Sequence, residues 1–387
     1  MFVSRQPIYN RSIDLFAYEL AYPGQTGAEA FINAFLNPGL EPLVGATPAF
    51  VHLPLQLILQ DDFKALPKER VVLEISREIE LDSAVLGSLT ALTKSGYKLA
   101  LDDFVYADET RPALELAHFA SLNFEKLSAE DISKQFAALK QTKVKAIAKG
   151  LETHAACETA KSMGFEYFRG SCFIKPKLTA STRVPVNRLS TLQLVLKLQE
   201  PELSTTELEK IISQDLAISF KLLQYVNSAA FSFSRNIESI RTAIQMIGRD
   251  NLRSWASQLF LSKLDDKPPE LSIIALVRAK MAERLAVELG ARNPDTFYMV
   301  GLFSLIDALL NVPMTEAIQL LPFSKEVREA LLTQSGLLGS ALNCVLSYES
   351  GNWSGISCGD LDAATIQRCY LDSIAIAETM PKIAKVG

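Results

Sequence analysis

The amino-acid sequence predicts an α/β half followed by an all-helical half, and three observations carry that prediction. Up to about residue 175, short runs rich in β-branched, leucine or aromatic residues alternate with amphipathic stretches that open on capping residues. Beyond Pro176 the alternation stops, and apolar residues recur at i, i+3, i+4 and i+7 in most windows. Between the two lies 178–185 (LTASTRVP), small, polar and closed by proline, which reads as a linker.

In chain order, strands are expected at 16–20 (FAYEL), 49–53 (AFVHL), 70–75 (RVVLEI), 97–104 (YKLALDDF), 124–127 (FEKL), 144–151 (VKAIAKGL) and 166–173 (EYFRGSCF). Helices are expected between them. DSAVLGSLTALTKSG opens on Asp82 or Ser83 and stops at Gly96, and THAACETAKSMG opens on Thr153 and stops at Gly164. Such a rhythm implies a parallel sheet with crossover helices, doubly wound or closed into a barrel. No GxGxxG or GxxxxGK[ST] follows a strand, so the glycine loops that cradle nucleotide phosphates are missing. The second half, from LSTLQLVLKLQ to LDAATIQRCYLDSIAIAETM, reads as a helical bundle. The two domains are set at 1–183 and 188–387.

Composition narrows the function classes. With 39 Lys+Arg against 44 Asp+Glu, the 387-residue chain has a formal charge of −5 and lacks the basic face a nucleic-acid partner needs. No uninterrupted apolar run approaches the roughly 20 residues of a membrane span, and the first residues lack the apolar core of a secretion signal, so no membrane partner and a cytoplasmic location are expected. The five cysteines form no CxxC pair, and Cys157 and Cys172 are expected as small reduced core residues. All three histidines, His52, His118 and His154, precede residue 187. The helical half therefore has no imidazole for a metal or a proton.

Several charged residues stand where an apolar strand ends: Glu19, Glu74, Asp102-Asp103, Lys126 and Glu152. Each acid alone is most simply a helix cap or a lysine partner. Together at equivalent strand ends they would converge on one mouth, where carboxylates bind hard divalent cations such as Mg²⁺ or Mn²⁺.

RQPIYN, AYEL, VHL, LEIS, LALDDF, EKLS, AKGLET and YFRGSCFIKP resemble, in order and spacing, the motif series of the EAL phosphodiesterases. That resemblance covers residues 1 to about 180 and implies a modified (β/α)₈ barrel that hydrolyses cyclic di-GMP with two Mg²⁺ or Mn²⁺ ions. It assigns Glu19, Glu74 and Asp102 as metal ligands, Asp103 as the second acid and Lys126 as the lysine near the attacking water. It also exposes departures: His52 replaces the asparagine ligand, Lys149 a glutamate, Arg169 a glutamine, Pro23 a phosphate-gripping arginine and Ser128 an aspartate. An ammonium in place of a carboxylate removes a ligand and adds like charge to a dication site. Lys149 is expected either to fill a metal position with its own ammonium or to pair with Glu74 or Asp102.

The stretch from Leu208, with QDLAISFKLLQYVNS and IESIRTAIQMIG, resembles the HDOD domain, a relative of the HD phosphohydrolases. Where an HD enzyme carries its His-Asp pair this chain reads Phe303-Ser304-Leu305, and Asp307 is expected on a helix surface or in a polar pocket. Trp255 and the Phe231/Phe233 pair are expected in the core or at a domain interface, and Asn227-Ser228 as a helix-terminal cap. Arg235, Arg241, Arg249 and Arg253 are expected on a solvated face, with an acidic protein partner as the second reading.

The resulting expectation is a non-catalytic signalling protein that works through a regulatory protein partner in a cyclic di-GMP-related network, with a vestigial site of Glu19, His52, Glu74, Asp102, Asp103, Lys126, Lys149 and Glu152. No cofactor is expected, with Mg²⁺ or Mn²⁺ at Glu19, Glu74, Asp102 and Asp103 left open. Two alternatives stand beside it: a sensor that binds cyclic di-GMP without turnover, and a weak metal-dependent phosphodiesterase.

Overall fold

A computed structural model describes residues 2–23, 35, 39–60, 66–178, 186–198, 203–228, 231, 237–262 and 267–379. The chain forms two compact units. The first comprises Met1–Lys175, Pro268–Leu271 and Asn343–Ala375, and the second comprises Pro176–Lys267, Ser272–Leu342 and Ile376–Gly387. The linker expected over 178–185 lies outside the described residues except for Leu178.

Eight strands close the first unit into a barrel in sequential order: β1 (Ser4–Tyr9), β2 (Leu15–Ala21), β3 (Ala49–His52), β4 (Val71–Ile75), β5 (Lys98–Leu101), β6 (Phe119–Asn123), β7 (Lys145–Lys149) and β8 (Tyr167–Phe168). From β2 onward neighbours are parallel, whereas β1 runs antiparallel to both β2 and β8. A tight connection makes the β1–β2 hairpin, with the Asn10 side-chain oxygen accepting from the backbone N–H groups of Ser12 and Asp14. The expected helices are present: Ser83–Lys94 is capped by Asp82, and His154–Met163 is capped by Thr153 and ends at left-handed Gly164.

A hairpin has no crossover helix, so the outer face of β1 needs other cover. Segment 343–375 supplies it. The Tyr348 and Tyr370 hydroxyls accept from the backbone N–H groups of Val3, just before β1 (3.3 Å), and Arg5 (3.2 Å). Trp353 stacks on Phe2, and Tyr18 donates to buried Glu270 at 2.6 Å.

Three expectations are corrected. The strand expected at 124–127 lies instead at Phe119–Asn123, and FEKL is the turn leading into helix Ala129–Leu139. Strand β1 was not among the expected strands, because Pro7 weakens the pattern. Its missing N–H is tolerated because β1 meets β8 only at Tyr9↔Phe168. Cys157 and Cys172, expected as reduced thiols, form a disulfide between helix His154–Met163 and the turn Ser171–Ile174. Cys344, Cys358 and Cys369 are free and buried.

The described part of the second unit is helical. Ser204 and Glu207 make a reciprocal capping box at the start of Thr205–Ser213. The long helix Ile240–Ser262 is interrupted at Gly248, where φ is +74°, a conformation that a β-carbon would disfavour. Its second part carries Trp255 into the core. The stretch Lys325–Ser350 is apolar and long enough for a membrane span by composition alone, yet it breaks between Thr333 and Gly336, where Gln334 and Gly336 have positive φ.

Candidate functional site

Inside the barrel each strand contributes one residue to an apolar plug: Ile8, Ala17, Phe50, Val72, Ala100, Phe119, Ile147 and Tyr167. Side chains two apart on a strand share a face, so the next inward layer follows by counting. It consists of Gln6, Glu19, His52, Glu74, Asp102, Ser121, Lys149 and Arg169. The mouth is thus lined with polar groups directly above a sealed apolar floor.

Lys149 sits among the acids. Its Nζ donates to both carboxylate oxygens of Asp102, at 2.7 Å each, and lies 3.3 Å from Asp103 Oδ1. Asp102 also accepts from the Ser121 hydroxyl at 2.7 Å and lies 3.5 Å from His52 Nε2. Burial alone would raise its pKa, but His52 and the Lys149 ammonium hold it well below the usual carboxylate range. Burial works against the charge on Lys149 too, and Asp102, followed by Glu74, outweighs it and raises the ammonium's pKa.

Asp103 turns back toward the same mouth because its backbone is left-handed, with φ +48°. Asn123 donates to one of its oxygens at 3.0 Å and Lys126, from the exposed rim, to the other at 2.5 Å. Burial would raise its pKa, but those bonds and Lys149 bring it down. Glu19 is ion-paired with Arg169, whose other amino group donates to Gln6 at 3.2 Å. Burial depresses the guanidinium to about 9.

Glu74 is the exception. It is 2% exposed, and among the described residues its Oε2 has no hydrogen-bonding partner. Burial, followed by the negative charge of Asp102, pushes its pKa up to about 8. Glu152 lies apart from the cluster, held by Ser171 and by Lys175 at 2.8 Å. Ser128 caps the helix Ala129–Leu139 through the Asp131 N–H.

The cluster therefore joins Glu19, His52, Glu74, Asp102, Asp103 and Lys149, reached by Lys126 from the rim, and leaves out Glu152. Sequence reading missed Gln6, Ser121 and Asn123. The first two lie two residues from a plug residue, a period-two signal that was available.

A pair of divalent ions does not fit this cradle. The ammonium occupies the centre of the carboxylates. At an effective dielectric of about 20, a dication roughly 4 Å from it would be repelled by ~8 kcal/mol. Among the described residues, no group of three or more His, Cys, Asp or Glu side chains is arranged to hold a metal ion.

Beside Asp102 opens a cleft of about 450 Å³. Of the residues lining it, Glu80, Asp82, Asp102 and Glu109 are acidic and Arg77 alone is basic.

The helical unit holds a different buried charge cluster. Arg253, 2% exposed, pairs with Glu283 and Asp295, and Lys280 donates to Glu283 at 2.9 Å. Both cations lie over the ring of buried Tyr298. This corrects the expectation of a solvated face for Arg253, which is a core ion pair; Arg241 is exposed and bonds Glu209 at 2.7 Å, and Arg235 lies outside the described residues. Trp255 is fully buried, as expected of a core residue, and Phe233 lies outside the described residues. Asn227 ties two segments together, its amide bonding both the N–H and the carbonyl of Ile237 at 2.8 Å. Asp307 is half-buried and accepts from the Ala308 N–H. A groove of about 730 Å³ on this unit is lined by Leu194, Ile211, Ile218, Met299, Phe323 and Val327 together with polar residues.

The EAL domain model matches residues 48–176 and the HDOD domain model matches residues 185–328. The chain is 30% identical to the uncharacterized protein YuxH of Bacillus subtilis (strain 168), over 97% of each chain. It is 27% identical to the cyclic di-GMP phosphodiesterase CdgJ of Vibrio cholerae, over 92% of this chain and 86% of that one. Among solved structures it is similar to the PaMucR phosphodiesterase in complex with c-di-GMP, at 18% identity and TM-score 0.35, covering 44% of this chain and 93% of the other. A standalone EAL protein from Vibrio cholerae O395, bound to c-di-GMP, is similar at 16% identity and TM-score 0.35, covering 44% and 90%.

Proposed function

Since the chain belongs to the family of EAL–HDOD proteins, we propose that it acts in cyclic di-GMP signalling as a non-hydrolysing regulator that works through a protein partner. The observation that carries this reading is the Lys149 ammonium bonded to Asp102 and Asp103. Hydrolysis of a phosphodiester by two metals needs open carboxylates to hold them, and here Asp102, Asp103 and Glu19 are neutralised by Lys149, Lys126 and Arg169. The link to cyclic di-GMP rests on the similarity to CdgJ, which is named as a phosphodiesterase of that nucleotide. The acidic cleft beside Asp102 opposes binding of a dianionic nucleotide, which favours a regulator over a sensor. For the partner, the half-apolar groove of the helical unit offers a surface, in a half without any histidine.

One titration tests the reading. Purified chain is mixed with cyclic di-GMP and excess Mg²⁺ or Mn²⁺, and heat and product are recorded together. Neither signal is expected. Product above background overturns the non-hydrolysing reading, and saturable heat without product replaces the regulator by a sensor.

A further inference from the structure

We propose that the lower end of the barrel, where its parallel strands begin, is a docking surface for a short acidic peptide segment of a protein partner. The inference rests on the reading of the chain as a regulator that works through a protein, and it adds the chemistry of that protein.

The formal charge of −5 is spread unevenly over the barrel. Counting two residues before the plug residues Ala100 and Ile147 gives Lys98 and Lys145, which face inward on the side of the plug away from the acids. Their strands, β5 and β7, flank β6, which His118 precedes. The segments that lead into these three strands, 94–98, 117–118 and 140–145, hold Lys94, Lys98, Lys140, Lys143 and Lys145 and no Asp or Glu. All five lysines are exposed.

Pairing is the second observation. At the upper mouth Lys126, Lys149 and Arg169 each meet a carboxylate. Among the described residues the five lower lysines meet none. Lys140 donates to the Met163 carbonyl at 3.1 Å and Lys145 to the Tyr167 hydroxyl at 3.4 Å. His118 registers the local field: burial, followed by the charge of Lys98, lowers its pKa. Uncompensated like charges on neighbouring segments repel one another, and an anionic partner relieves that repulsion.

The dimensions select the partner. Strands stand about 4.8 Å apart, so β5 to β7 spans roughly 10 Å, the reach of about three residues of extended chain. Glu69 ahead of β4 and Glu166 ahead of β8 bracket the patch and repel a longer polyanion. Phe119 and Tyr167, the aromatic residues of the floor, are 6% and 8% exposed, too covered for bases to stack on. No large apolar side chain of these segments is exposed to anchor in a bilayer. A few consecutive Asp or Glu side chains fit all of these limits.

The test titrates the full chain into a fluorescein-labelled peptide carrying a run of about four Glu between neutral flanks. Binding is read by fluorescence anisotropy at low salt and near physiological salt. The variant Lys98→Gln/Lys143→Gln/Lys145→Gln is compared with Lys134→Gln/Lys210→Gln/Lys325→Gln, which removes the same charge from exposed helical positions. An oligonucleotide of equal charge and phosphatidylserine vesicles serve as competing probes.

Wild type is expected to bind the peptide saturably at low salt and severalfold more weakly near physiological salt. The lower-end variant should lose about tenfold or more in affinity, and the control should stay within about twofold. Both should melt with wild type, because the substituted side chains are exposed. Should the lower-end variant melt early, Lys143→Gln alone should still weaken binding by about twofold or more. No saturation by wild type, equal losses in the two triple variants, or tighter binding of the oligonucleotide or the vesicles overturns the inference. Product formation from cyclic di-GMP is measured separately, so the non-hydrolysing reading stands or falls on its own.

Discussion

Replacing Arg169 by methionine keeps the stem and deletes the charge that faces Glu19. The two side chains are 15% and 5% exposed, so the pair lies in a medium far less polar than water. Coulomb's law at an effective dielectric of about 20 gives ~4 kcal/mol for unit charges at roughly 4 Å. Breaking a buried pair by removing one member costs about 3–5 kcal/mol, because the other charge stays buried and uncompensated. At about 2–4 °C per kcal/mol for a unit of this size, Arg169→Met should lower the barrel transition by roughly 6–20 °C. Part of that loss belongs to the Arg169–Gln6 bond, so the full double-mutant cycle is needed. Calorimetry of wild type, Glu19→Gln, Arg169→Met and the double variant isolates the pair. The double variant should be more stable than the sum of the single losses implies, by about 2 kcal/mol or more. Additive losses within ~0.5 kcal/mol would refute the claim that Arg169 neutralises Glu19.

Three further outcomes are expected. Glu74 is raised from its ordinary 4.5 to about 8, so its contribution to stability is full below about 4.5 and lost as pH rises through about 8. Glu74→Gln should therefore gain melting temperature relative to wild type as pH climbs through that window, and parallel curves would contradict the burial argument. Under denaturing, non-reducing conditions, thiol titration should count the three free cysteines Cys344, Cys358 and Cys369, with two more after reduction; five at once would remove the Cys157–Cys172 bond. Gly150→Ala places a β-carbon 2.7 Å from Asn123 Oδ1 at φ +71° and should cost about 1–3 kcal/mol, whereas Gly87→Ala, inside a helix with open space around it, should gain about 0.5–1 kcal/mol. Thermal melts of the two variants should move in opposite directions.

Much of the barrel was legible because strand and helix signals are local. Asp82 and Thr153 cap helices where they were expected to, and the strands around Phe50, Leu73 and Ile147 fall where apolar runs announce them. Two of the errors have distinct physical causes. Ser121 and Asn123 interrupt the apolar run of β6, because alternate residues there face the polar mouth. Arg253 reads as a surface arginine because its acidic partners, Glu283 and Asp295, are 30 and 42 residues away in sequence.

What the sequence determined by itself is the set of chemical groups and their order along the chain: two architectures, a histidine-free second half, and a lysine where the barrel family carries an acid. The first two follow from composition and from periods of 2 and 3.6, which need no knowledge of distant residues, and the third from the resemblance to the EAL family. What only the tertiary structure decided is pairing. Lys149 could have met Glu74 or Asp102; closure of the barrel set it on Asp102 and Asp103 and, among the described residues, left Glu74 Oε2 without a hydrogen-bonding partner. Ion pairing depends on distances of a few ångströms between residues tens of positions apart, and only the closed sheet fixes those distances.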